Sequence, residues 1–82
     1  MDKLYAYVSM VEDRLNKNKS SLGSPYTDLA CDIKWDLSKN RSLYSSEEEF
    51  LEHVKSRMRG RDMEEAYRTF MRNYRAWLRN RR

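Results

Sequence analysis

From Met63 to Leu78 the apolar residues recur every three to four positions: Met63, Ala66, Tyr67, Phe70, Met71, Tyr74, Trp77 and Leu78. Only a helix of 3.6 residues per turn puts them on one face. Winding at about 100° per residue sends Arg68, Arg72, Arg75, Arg79 and Arg82 to the opposite side. A helix this sharply divided must pack its apolar arc against partners, and the rest of the chain has to supply them.

The upstream segments have the same period. Leu4, Val8, Val11 and Leu15 outline a first helix over about residues 2–15, flanked by Tyr5 and Tyr7. A polar run, Asn16-Lys17-Asn18-Lys19-Ser20-Ser21, and Gly23 then break the pattern. Ser24-Pro25 is a helix start, with Ser as N-cap and Pro at the first helical position, where a missing N–H is harmless. Tyr26, Leu29, Ala30, Ile33 and Leu37 make one face of a second helix over residues 25–37. The stretch from Ser38 to Ser46 reads as a polar connection with room for a short helical turn.

Either Ser45 or Ser46, each followed three residues later by Glu, can form a capping box for a third helix over residues 46–59. Phe50, Leu51, Val54 and Met58 are its inward residues, and Gly60 its expected C-cap. The fourth helix covers residues 61–80. No stretch alternates with period two. The expected fold is therefore all-α, a single domain over residues 1–82 built as a small four- to five-helix bundle.

The residues Leu4-Tyr5-Ala6-Tyr7-Val8, the run Ser24-Pro25-Tyr26-Thr27-Asp28-Leu29-Ala30-Cys31-Asp32-Ile33 and the following Asp36 resemble the YozE-like family. Their order, with a long last helix bearing spaced aromatics, parallels that family over nearly the whole chain. Where the family usually carries an aromatic–Pro pair, Leu37-Ser38-Lys39-Asn40 stands here, and the Arg-loaded ending is stronger than the family's. The resemblance implies a sterile-alpha-motif-like (SAM-like) bundle. It implies no catalytic residues, since the family is largely uncharacterised.

Composition narrows the function. With 82 residues there is one modest core, burying roughly 60–65% of the unfolded surface, so few large side chains are free for other work. Cys31 is the only cysteine and His53 the only histidine, so neither a disulfide nor a Cys/His zinc cluster can form within the chain. A small, partly buried thiol accounts for Cys31, and a surface or boundary position for His53. A general base would need a positioned partner and a cleft. No catalytic residue, cofactor, metal or small-molecule substrate is expected. No window approaches the run of about 18 apolar residues that spans a bilayer, and the opening residues lack a signal-peptide pattern. A cytoplasmic location is the expectation.

Charge is the remaining clue. Lys, Arg, Asp and Glu balance through residue 59, so the net +4 resides after it, where every basic residue is Arg. The stripe Arg68, Arg72, Arg75, Arg79, Arg82 reads either as a solvated face or as a ridge for nucleic-acid phosphates or an acidic protein. Asp28, Asp32 and Asp36, spaced four apart, form a second ridge, expected to be solvated or to meet a basic partner. Trp35 lies beside them, either packed between helices or presented as an interface anchor; a core this small favours packing. The aromatics Tyr67, Phe70, Tyr74 and Trp77 have the spacing of core residues. The expected function is a non-catalytic interaction module working through the last helix. Head-to-tail self-association through the two charged ridges is the alternative, and a small inhibitor of a larger enzyme, of the mobile-element kind, is another.

Overall fold

A computed structural model describes residues 2–17 and 25–80. It contains α1 (Asp2–Lys17), α2 (Pro25–Asn40), a 3-10 turn (Arg41–Leu43), α3 (Glu47–Arg57) and α4 (Arg61–Arg79). Among the described residues there is no strand. The all-α bundle is as expected. The Ser24 N-cap, Gly23 and residues 18–21 of the first connection lie outside the described residues.

α1 and α2 run antiparallel. Asp2 pairs with Arg41 at one end, and Glu12 meets Lys34 at 3.5 Å toward the other. α3 and α4 are antiparallel too. The Tyr74 hydroxyl donates to Glu47 Oε1 at 2.5 Å and the Tyr67 hydroxyl to the Leu51 carbonyl at 3.2 Å, matching the start of α3 to the end of α4. α2 is the central element, packed on both α1 and α4.

Leu4 and Val8 from α1, Leu29, Ile33 and Leu37 from α2, Phe50 and Val54 from α3, and Phe70 from α4 are sealed from solvent. Tyr7 is the hinge of the aromatic packing. Its ring lies 5.4 Å from Phe70, edge-on, 5.3 Å from Tyr74 and 5.2 Å from Trp77. Such edge and tilted pairs suit the ring quadrupoles and add to area burial. The flanking role expected of Tyr7 therefore becomes a core role, whereas Leu15 is only half-buried.

α2 continues to Asn40 rather than stopping at Leu37. Its last turn is held by side chains: the Asn40 amide donates to Asp36 Oδ1 at 2.8 Å and the Ser38 hydroxyl to the Lys34 carbonyl at 2.9 Å. These local bonds and the packing of Leu37 outweigh the weak helix propensity of Ser and Asn. At the start of α3 both serines act. Ser46 Oγ accepts from the Glu49 N–H at 3.1 Å, while the Glu49 carboxylate reaches back to the N–H and hydroxyl of Ser45. The capping box is thus shared over two residues.

Gly60 does not cap α3, which ends at Arg57 with Met58 in extended backbone. It stands at the N-cap of α4 with φ 89° and ψ 153°, and its carbonyl accepts the Glu64 N–H. That region of backbone space is nearly closed to residues with a Cβ. The glycine is needed for the turn, although the space around it is open.

The acidic ridge changes most. Asp36 is buried, its residue exposure only 3%. Arg57 of α3 reaches across to donate to Asp36 Oδ2 at 3.2 Å and Asp32 Oδ2 at 3.0 Å. Tyr44 packs edge-on against Phe50 at 5.0 Å. A solvated face was the wrong expectation for Asp36. On the helical wheel it lies only about 60° from Ile33, at the border of the apolar arc, so packing α3 on α2 encloses it.

Arg57→Ala should lower the unfolding free energy by about 3 kcal/mol in urea melts, the low end for breaking a buried pair because Arg57 itself is half-exposed. Gly60→Ala should cost about 1–3 kcal/mol through backbone strain alone, with the helical CD spectrum retained.

Candidate arginine ridge and adjoining cleft

Once the apolar arc of α4 is committed to the core, its other side must face water. Ala66, Phe70 and Tyr74 are buried, and Arg68, Arg72, Arg75 and Arg79 are all exposed. At 100° per residue the four fall within an arc of about 60°, centred opposite Phe70, and extend over about 17 Å of helix. Among the described residues no carboxylate lies within 4.0 Å of any of them; the four ion pairs present involve Lys34, Arg41 and Arg57. Glu64 stands one turn before Arg68 but does not pair with it at that distance. Arg82, the last member of the expected stripe, lies outside the described residues.

Two further cations adjoin the ridge. Arg61 is exposed at the start of α4 on the same side of the wheel, separated from Arg68 by Glu64 and Glu65. Lys55 of α3 borders a shallow depression with Arg68, Met58 and Tyr67. Only the antiparallel packing of α3 and α4 brings Lys55 there, so linear spacing could not reveal it.

The other expected interface residues are dispersed. Asp36 is enclosed, Asp32 is held by Arg57, and Asp28 alone of the three is exposed. Trp35 is 58% exposed, contrary to the packing expected of it. α2 is indeed central, but its neighbours occupy other sides and leave the Trp35 side uncovered. Cys31, on that same outward side, is an exposed residue; partial desolvation of its thiol, and after it the nearby Glu12 and Asp28, raise its pKa, which opposes thiolate formation.

A cleft of about 550 Å3 opens between the end of α1, the start of α2 and the end of α4. Tyr7, Tyr26 and Trp77 line it from three different helices, with Met10 beside them and Arg14 and Asn73 among its polar residues. The expectation of a purely packed role therefore holds for Phe70 and Tyr74, while Trp77 is only partly buried and lines a wall. His53 is exposed, tilted against Tyr44 at 5.4 Å. Among the described residues no three His, Cys, Asp or Glu side chains are grouped to hold a metal ion, and no helix is long and apolar enough to cross a membrane.

Burial, and after it the bond to Glu47, raises the Tyr74 phenol well above its ordinary value of 10.0; burial chiefly does the same for Tyr7. A phenol harder to ionise in the folded chain stabilises the fold fully below its unfolded pKa. That contribution declines as pH climbs past about 10 toward the folded values. Melting temperature should drop steeply between pH 10 and 11.5, and Tyr74→Phe should flatten part of the drop.

No family model matches this chain, and neither a curated protein nor a solved structure does.

Proposed function

We propose that this chain is a non-catalytic binding domain whose last helix lays Arg68, Arg72, Arg75 and Arg79 along the phosphate backbone of a nucleic acid. The observation that carries this reading is that, among the described residues, four exposed guanidinium groups stand in one line with no carboxylate within 4.0 Å. Arginines held together without counter-charges repel one another, and a polyanion with regularly spaced charges relieves that repulsion along the whole row. Guanidinium forks also match phosphate oxygens bidentately, which a row of lysines would not. The even spread over about 17 Å suits successive phosphates better than a single acidic side chain.

Head-to-tail self-association draws less support. Its acidic face would need Asp28, Asp32 and Asp36 together, and Arg57 already engages two of them. The exposure of Trp35 favours a second reading, a protein partner docked on the outer side of α2, since exposed tryptophans are frequent interface anchors. We also propose membership of the YozE-like family with its SAM-like fold, on the residues quoted above, and a cytoplasmic working place.

Titration of labelled random-sequence oligonucleotides, single- and double-stranded, at 50 to 300 mM salt tests the ridge. Binding should weaken steeply, with a log–log slope of about −3 on the single strand and about −3.6 on the duplex for four phosphate contacts. Arg72→Glu with Arg75→Glu should abolish it while changing stability by no more than about 0.5 kcal/mol, because both side chains are exposed. No binding to either oligonucleotide at 50 mM salt would overturn the reading and leave an acidic protein as the ridge's partner.

A further inference from the structure

We infer that the cleft between α1, α2 and α4 receives an unpaired base, so that the preferred partner is single-stranded nucleic acid. This rests on the ridge reading and adds to it a site on the neighbouring surface of the same helix.

The cleft and the ridge are contiguous. On α4 the wall residue Ala76 lies about 40° around the helix from Arg72, and Asn73 about 100° from it. A strand whose phosphates follow the arginines can therefore turn a base over Ala76 without leaving the surface of α4. On the opposite lip Arg14 of α1 supplies another exposed cation. Among the described residues no Asp or Glu lines the cleft, so both its lips favour an anionic ligand.

The lining has the chemistry of a base site. Tyr26 and Trp77 bring partly exposed aromatic surface from two helices to one concavity, and the buried Tyr7 backs Trp77 at 5.2 Å. Asn73 carries an amide donor and a carbonyl acceptor on one side chain, the pair that reads a base edge. Met10 adds a polarizable surface. A volume of about 550 Å3 falls within the range of small-molecule sites, roughly 300–1,000 Å3. A plain aliphatic ligand would make no use of Asn73 or Arg14. Bases stacked inside a duplex cannot enter, whereas the splayed bases of a single strand can.

Three fluorescein-labelled probes decide the matter: a single-stranded 20-mer, its duplex, and the same strand with abasic sites throughout. The single strand should bind about 10-fold tighter than either of the others. Trp77→Ala should weaken single-strand binding by roughly 5- to 150-fold, the range carried by base–aromatic stacking, and leave duplex binding unchanged. Trp77 also packs on Tyr7 and Tyr74, so the exposed Asn73→Ala, paired with Arg14→Ala, provides the same comparison without touching the core. In a Trp35→Phe background the remaining tryptophan fluorescence should be quenched by the single strand and not by the abasic one. Equal binding of all three probes, unaltered by Asn73→Ala, would overturn the base site while leaving the ridge. Binding of none would overturn both.

Discussion

Asp36 is a carboxylate enclosed at the edge of the core, and the bundle is arranged around keeping it satisfied. Its two oxygens take hydrogen bonds from Asn40 and Arg57. Those two donors come from the end of α2 and the end of α3, so one buried charge ties the two helix ends together. A buried pair of this kind gives little net stability compared with an apolar substitute, but it tolerates few alternative arrangements. Helix α3 is short, with four glutamates and a thin apolar face, and its position depends on such specific bonds at both ends: Arg57 to α2, and Glu47 to Tyr74 of α4.

The same network shapes the surface. By drawing in Asp36 and engaging Asp32, Arg57 removes most of the acidic ridge that α2 would otherwise display. Among the described residues the arginines of α4 have no such counterpart. A single small core requires Phe70 and Tyr74 to point inward, and helical geometry then forces Arg68, Arg72, Arg75 and Arg79 outward together. Charge asymmetry in this molecule follows from packing. The exposed arginines of α4 stand in one row, while Asp32 and Asp36 of α2 are tied to Arg57.

Legibility varied with how local the governing interaction is. The four helices, the capping serines before α3 and the arginine row are all decided within a few turns of chain, and the periodicity of the apolar residues reveals them. Gly60 was legible as a special position but assigned to the wrong helix, because composition signals a turn without saying which side of it the glycine occupies. Trp35 and Asp36 were each expected on the wrong side of the surface. Asp36 lies near the edge of the apolar arc, where the helical wheel is ambiguous, whereas Trp35 lies opposite that arc, and its exposure depends on whether any neighbouring helix covers that side.

By itself, then, the sequence determined that this chain forms an all-helical bundle with an uncompensated arginine face, since both properties arise from spacing along a helix of known pitch. Only the tertiary structure decided that Asp36 is sealed and paired with Arg57, that Trp35 faces solvent, and that Tyr7, Tyr26, Asn73 and Trp77 share a cleft. Those outcomes join residues up to about 70 positions apart, and they depend on which side of each helix its neighbours cover. The opposite face of α4 needed no such information: any packing that buries Phe70 leaves its arginines in water.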